Sequence, residues 1–246
     1  MKTETPLREG ERLDDLMRSG LRIIQSRSAY SFGLDSVLLA HFVRAGRGDL
    51  VVELGAGNGV IAILLSTLVP AARIVGIEIQ PDLACMAKRS VELNGLAGRV
   101  EIIEGDLLRA DSLVGREQAD VVVSNPPYMR GGSGARNPNP VMAIARHEIA
   151  CTLEDVVRAA SDLLKNGGGL FMVHRTERLA DVMIEMRSRG LEPKRLMMVH
   201  PRPGAAPGLF LIEALKGGHP GLMGMPPLYV YDQDGGYSAT MRGIYG

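Results

Sequence analysis

Residues 121–128 read Val-Val-Val-Ser-Asn125-Pro126-Pro127-Tyr128. Two successive prolines stiffen the backbone and carry no N–H, which leaves the neighbouring carbonyls as acceptors. Asn125 adds a side-chain carbonyl. Together with the Pro126 carbonyl it can accept both hydrogens of a planar exocyclic amino group and aim the nitrogen lone pair at an electrophile. Tyr128 can stack on the flat ring that bears such an amine. The demand here is orientation, because a neutral amine needs no base before it attacks a cationic carbon. A second Pro-Pro pair, within 224–229, has no asparagine before it and no preceding strand-like run.

A glycine-rich string lies upstream: Glu53-Leu-Gly55-Ala-Gly57-Asn-Gly59. Glycines let the backbone turn sharply and let a ligand approach closely. The spacing is GxGxG, not the dinucleotide GxGxxG, and no Lys-Ser or Lys-Thr pair follows, so neither a nicotinamide fingerprint nor a phosphate loop is present. Glu53 would repel a pyrophosphate but suits a ligand carrying an ammonium and a sulfonium, which is S-adenosylmethionine. Glu78, at the end of the next apolar run, is placed to accept two ribose hydroxyls. Asp106, after the third run, can accept from an adenine amino group while the Leu107 backbone meets the ring. The candidate cofactor set is therefore Glu53, Gly55, Gly57, Gly59, Glu78, Asp106 and Leu107, with Asn125 adjoining both cofactor and substrate. The competing reading is a tight glycine turn that only packs.

These residues need a scaffold that brings strand ends together. Short β-branched runs at 49–54, 73–78, 99–103, 119–124 and 169–174 alternate with helical patterns at 60–68, 81–94, from 152 to a stop at Asn166-Gly167, and at 177–188. Continuous apolar strands alternating with helices imply a mostly parallel sheet covered on both faces. Runs at 196–200 and 209–214 read as two closing strands. Ligands of such α/β sheets bind at the carboxyl ends of the strands, where all three carboxylates and Asn125 fall. The regular core spans 49–215. Residues 1–48 read as a helical extension packed on it, with an amphipathic helix in the first 30. Residues 216–246 read as a Gly/Pro-rich extension with a hairpin around Asp234-Gly235.

Composition sets outer limits. The 246 residues hold 28 basic and 28 acidic side chains, so bulk charge excludes a chain that clings non-specifically to polyanions. Charge is nevertheless local: 129–147 contains Arg130, Arg136 and Arg146 and no acid, a candidate clamp for RNA phosphates. Glycine is abundant, 30 residues against the usual ~7%. Cys85 and Cys151 have no partners at metal-ligand spacing and read as buried, reduced thiols, so no metal is expected. His41, His174, His200 and His219 read as structural. The N-terminus lacks an apolar signal region and no run approaches the ~20 residues of a membrane span, so a cytoplasmic protein without membrane contact is expected.

The tetrapeptide after the fourth strand resembles that of amino-methyltransferases acting on adenine N6, cytosine N4, guanine N2 or glutamine N5. The strings at 21–39, Ala145-Arg-His-Glu148, His200-Pro-Arg-Pro-Gly204 and 226–237 are similar to the bacterial tRNA(Val) adenine-37 N6-methyltransferases. The resemblance implies a Rossmann-like, seven-stranded α/β sheet with a reversed last strand, S-adenosylmethionine as cofactor and tRNA as partner. It also implies that Asn125, Pro126, Pro127 and Tyr128 bind the target adenine and that 32–35 close over the cofactor. Alternatives are a release-factor glutamine N5-methyltransferase, an rRNA guanine N2-methyltransferase, and a non-catalytic protein that retains the cofactor pocket. Monomer and homodimer are both compatible with the sequence.

Overall fold

The computed structural model describes residues 7–17, 19–27, 32–69, 72–126 and 151–245. In chain order the elements are β1 (Glu11–Asp15), β2 (Arg22–Ser26), α1 (Leu34–Phe42), β3 (Leu50–Leu54), α2 (Val60–Leu68), β4 (Arg73–Glu78), α3 (Pro81–Leu93) and β5 (Val100–Glu104). A 3₁₀ turn, Leu107–Arg109, leads to α4 (Ala110–Val114) and β6 (Ala119–Ser124). Then come α5 (Leu153–Leu163), β7 (Leu164–Arg175), α6 (Leu179–Ser188), β8 (Leu191–His200), β9 (Leu209–Lys216), β10 (Met223–Gly224), β11 (Leu228–Tyr229) and α7 (Ala239–Tyr245).

Among the described residues, the main sheet has nine strands in the order β10-β8-β9-β7-β6-β3-β4-β5, with β11 also beside β8. From β5 to β7 all neighbours are parallel, while β9 runs antiparallel to both β7 and β8. This is the expected α/β architecture with one reversed strand. Two short strands of the C-terminal segment extend the sheet beyond the seven expected, both pairing with β8.

The sheet forms because its strands are apolar on both faces: Val51, Val52, Val122 and Val123 are fully buried. Each such side chain contributes roughly 1.5–3 kcal/mol of burial. One core layer packs α1, α2 and α3 on one face, and the other packs α5 and α6 on the opposite face. Helix α5 starts at a reciprocal capping box, in which Thr152 Oγ1 accepts from Asp155 N–H and Asp155 accepts from Thr152 N–H. It ends at Leu163, not at Asn166. The chain enters β7 at Leu164, and the Gly167–Gly169 stretch is absorbed into the strand. Strand β8 likewise begins five residues before the expected start, and its register with β9 shifts between Pro193 and Arg195. Proline has no N–H for the ladder, which accounts for the irregularity.

The N-terminal segment departs from the expected amphipathic helix. Residues 11–26 form a two-stranded antiparallel ribbon instead. Met17, Ser19 and Gly20 all have positive φ, 53°, 51° and 66°, which a continuous helix excludes. The ribbon is held by α3. Arg22 N–H donates to Asn94 Oδ1, Asn94 Nδ2 donates back to the Arg22 carbonyl, and Ile24 N–H donates to Ser90 Oγ. Arg89 makes a two-pronged ion pair with Glu11 at 2.7 and 2.9 Å.

In the C-terminal segment, Tyr231 and Tyr237 form an isolated antiparallel bridge around the Asp234-Gly235 turn. Among the described residues, no helix is long and apolar enough to cross a membrane.

Candidate active site

The carboxyl ends of β5, β4, β3 and β6 are tied to one another by a short series of hydrogen bonds. Gly105 N–H, just past β5, donates to the Glu78 carbonyl at the end of β4 (2.9 Å). The Glu78 carboxylate reaches across to the loop after β3, where Oε2 accepts from Gly57 N–H at 2.7 Å, while Oε1 accepts from Gln80 N–H at 2.9 Å. Ser124 Oγ, at the end of β6, donates to the Leu54 carbonyl at the end of β3 (3.1 Å). The glycine loop and the start of the Asn125-Pro126 segment are therefore held as neighbours.

The loop of 55–59 owes its shape to left-handed backbone. Gly55, Gly57 and Gly59 have φ of +74°, +56° and +84°. At Gly55 and Gly57 an added Cβ would meet nothing within 4 Å, so the backbone faces open space on that side. Gly59 differs, because a Cβ there would lie 3.1 Å from Ala87 Cβ, so that glycine lets α2 start close against α3. The loop is drawn onto β4 by Gly55 N–H and Ala56 N–H, which both donate to the Ile77 carbonyl at 2.9 Å. Gly76 is needed for this approach, since a Cβ would sit 2.9 Å from both Ala56 Cβ and Ile102 Cδ1.

The three carboxylates occupy different positions. Asp106 is half-buried after β5 and caps the 3₁₀ turn, accepting from Leu108 N–H at 2.9 Å, with Leu107 half-buried beside it. Glu78 is 5% exposed and already holds two backbone N–H groups. Each carboxylate oxygen has a second acceptor site, so the group retains capacity for hydroxyls. Glu53 lies deepest of the three. It is 1% exposed and accepts from Ala62 N–H at 2.9 Å, in the first turns of α2. Burial pushes its carboxyl well above the ordinary carboxylate range, the Ala62 bond opposes this, and the negative charge of Glu78 adds to the rise. Its place is beneath the glycine loop, holding α2.

Asn125 is half-buried, and its Nδ2 donates to Ser36 Oγ at 3.0 Å. Ser36 is buried in the first turn of α1, and its N–H donates to Asp35 Oδ1. The segment just before α1 reaches the same edge: Phe32 N–H donates to Gln25 Oε1, and Asn58 Nδ2 of the glycine loop approaches that oxygen at 3.5 Å. Ser36 and Gln25 are site neighbours that the sequence did not single out. The trace was their place in the 21–39 string, whose resemblance pointed to 32–35 closing over the cofactor. Pro126 is buried beside Asn125. Pro127, Tyr128, Arg130, Arg136 and Arg146 lie outside the described residues.

A cleft of about 730 Å³ flanks Asn125's partner helix on the β7 side. It is lined by Asp35, Arg175, Thr176, Pro207 and Gly208, among others. His174, one residue before Arg175, is buried against Phe210 (ring centroids 6.3 Å), and its Nδ1 accepts from Arg175 N–H at 2.8 Å. Burial, with the nearby Arg178 charge, lowers its pKa to about 4, so the ring is neutral. Cys85 and Cys151 are half-buried free thiols, not the fully buried ones expected. Burial pushes the Cys151 thiol up to about 12, with Asp155 and Asp106 adding to it. Among the described residues, no group of three or more His, Cys, Asp or Glu is placed to hold a metal ion.

This edge can hold an extended ligand. The open backbone at Gly55 and Gly57 admits close approach, and the carboxylates at Glu78 and Asp106 can accept from hydroxyl and amino groups. Asn125 and Pro126 carry carbonyls, a chemistry able to accept from an amine.

Comparisons with known proteins agree with this geometry. The Methyltransferase small domain family matches residues 28–189. A Porphyromonas gingivalis protein named tRNA1(Val) (adenine(37)-N6)-methyltransferase is 32% identical over 197 residues, 78% of this chain and 76% of that protein. A Bacteroides thetaiotaomicron protein of the same name is 30% identical over 187 residues, 76% of this chain and 77% of that protein. Among solved structures, one from Agrobacterium tumefaciens titled as a predicted O-methyltransferase superposes with a TM-score of 0.70. It is 24% identical and covers 86% of this chain and 95% of its own. A geranyl diphosphate methyltransferase solved in complex with SAM has a TM-score of 0.54 at 15% identity, over 74% of this chain and 84% of its own.

Proposed function

The chain belongs to the Methyltransferase small domain family, and from that premise we propose that it methylates the exocyclic N6 of an adenine in tRNA, adenine-37 of tRNA(Val). The observation that carries the reading is the juxtaposition of Asn125-Pro126 with the glycine loop, tied by the Ser124 Oγ–Leu54 carbonyl bond. The names of the relatives supply the substrate.

The cofactor is S-adenosylmethionine, which supplies an electrophilic methyl group on a sulfonium. Gly55 and Gly57 would pass beneath it, Glu78 would accept its ribose hydroxyls, and Asp106 with Leu107 would meet its adenine. The rest of the work falls to Asn125 and Pro126. Their carbonyls accept the two amine hydrogens, which turns the nitrogen lone pair out of conjugation and toward the cofactor side. As positive charge grows on that nitrogen, the same two oxygens stabilise it from fixed positions. In this reading Tyr128 stacks on the unstacked adenine, and Arg130, Arg136 and Arg146 meet flanking phosphates. A tRNA substrate also places the reaction in the cytoplasm.

The test is incubation of purified protein with methyl-labelled S-adenosylmethionine and, in parallel reactions, bulk tRNA, ribosomal RNA or a release factor, followed by nucleoside and peptide analysis. Label in N6-methyladenosine is the expected result. Label in methylglutamine of a release factor, in N2-methylguanosine of rRNA, or nowhere overturns the reading.

A further inference from the structure

Three tyrosines of the C-terminal segment form a stacked ladder. The Tyr231 and Tyr237 rings lie 5.5 Å apart and 7° from parallel, and Tyr237 and Tyr245 lie 5.5 Å apart at 28°. Tyr231 and Tyr237 are each 43% exposed as residues despite the stacking. Tyr237 is the middle rung and Tyr245 is half-buried, so Tyr231 is the more exposed end of the ladder. The ladder is built, not incidental. Tyr231 and Tyr237 are bridge partners, Asp232 N–H donates to the Gly236 carbonyl, and Met241 and Ile244 of α7 are buried beneath.

Topology places the ladder on the active edge. Because β9 is antiparallel to both β7 and β8, the carboxyl end of β8 points the same way as that of β6. Residues 228–231 run alongside that end: Leu228 and Tyr229 pair with Val199 and His200, and Tyr231 N–H donates to the Pro201 carbonyl. From β6 to β11 the path crosses β7, β9 and β8, four strand spacings, or about 19 Å. The cleft lined by Arg175, Pro207 and Gly208 lies between Asn125 and the ladder. Asn125, the cleft and Tyr231 therefore follow one another along a single edge.

We propose that Tyr231, backed by Tyr237 and Tyr245, is a stacking platform for an unpaired base of the substrate RNA other than the methylated one. The inference rests on the tRNA reading given above and adds a second contact to it. Flat aromatic faces hold splayed bases without reading their sequence. Local charge neither adds to nor opposes this. The Asp232 carboxylate accepts from the Asp234 and Gly236 N–H groups and lies 3.6 Å from the Arg242 guanidinium, while Asp234 and Arg202, of opposite charge, are both exposed. Stacking, not phosphate neutralisation, is the chemistry the site offers.

The experiment uses the full chain with bulk tRNA, comparing wild type, Tyr231→Phe and Tyr231→Leu. Tyr231→Leu should raise KM for tRNA about ten-fold with kcat and S-adenosylmethionine affinity retained, and Tyr231→Phe should keep the wild-type KM. The ratio of the two KM values should stay constant as salt is raised, because no counterion is released by a stacked ring. Ultraviolet cross-linking of the wild-type protein to tRNA supplies a readout that needs no variant, with a nucleotide expected on peptide 217–242. An active wild type with unchanged KM in folded Tyr231→Leu, or cross-links that spare peptide 217–242, overturns the platform alone. A wild type that neither binds nor methylates tRNA overturns the platform together with the functional reading.

Discussion

Asn125 donates its amide N–H to Ser36 Oγ at 3.0 Å, joining the end of β6 to the first turn of α1 across 89 residues of sequence. An amide has two ends, so fixing the nitrogen fixes the carbonyl as well. The hydroxyl of Ser36 thereby sets the plane of the group proposed to meet the target amine.

Asn125→Ala should lower kcat by at least about 100-fold, the scale on which removal of one preorganised polar group acts. Cofactor affinity, measured by calorimetry, should change less than two-fold. Ser36→Ala should lower kcat about ten-fold with the same cofactor affinity, and Ser36→Thr should recover most of it. Loss of cofactor binding in either variant would contradict the assigned roles.

The Glu11–Arg89 pair anchors the N-terminal ribbon to α3 with side chains only 9% and 13% exposed. The Arg89 hydrogen bond holds the Glu11 carboxyl below its ordinary value against the opposing effect of burial. A depressed carboxylate contributes stability above its unfolded pKa, and that contribution is lost as pH falls through the folded one. Arg89→Met should cost about 2–3 kcal/mol in urea unfolding at neutral pH, because it strands a nearly buried carboxylate. The cost should shrink below pH 4.5. Limited proteolysis should cut the variant first within 11–26.

Glu53 predicts a slope of the opposite sign. Its folded pKa is raised by burial, so its contribution to stability is full below about 4.5 and falls as pH rises toward the folded value. Glu53→Gln retains an acceptor for Ala62 N–H and removes the charge. The variant should gain stability over wild type progressively as pH climbs from 4.5 to 8, read from urea midpoints. Parallel curves would show that Glu53 is not buried as described.

His174 acts on the acid side. Its folded pKa of about 4 lies below the ordinary 6.5, so the unfolded chain binds the extra proton first. Its contribution is intact above pH 6.5 and is lost as pH falls toward 4, by up to about 3 kcal/mol. His174→Gln should flatten the stability profile between pH 6.5 and 4, whatever its effect at neutral pH. An unchanged acid limb would rule out His174 as its source.

Much of this molecule could be read from residue order. The β-branched runs of 49–54, 73–78 and 119–124 became β3, β4 and β6 because period and composition act locally. The candidate site was legible for the same reason: a glycine string, acids at or near strand ends and Asn125-Pro126 are each local features of the sequence. Two things were not local. The polar groups of 11–26 find partners in Ser90, Arg89 and Asn94, so a charged stretch that suits an amphipathic helix folds as a ribbon on α3. The fate of each carboxylate was also a tertiary matter. Glu53, next to last in β3, and Glu78, last in β4, look alike in sequence, yet one is sealed under α2 and the other clamps the loop by Gly57 N–H. The sequence by itself determined which groups could do the chemistry. Only the packed structure decided which of them meet, because contacts such as Ser36 to Asn125 are made by elements that burial, not proximity in the chain, brings together.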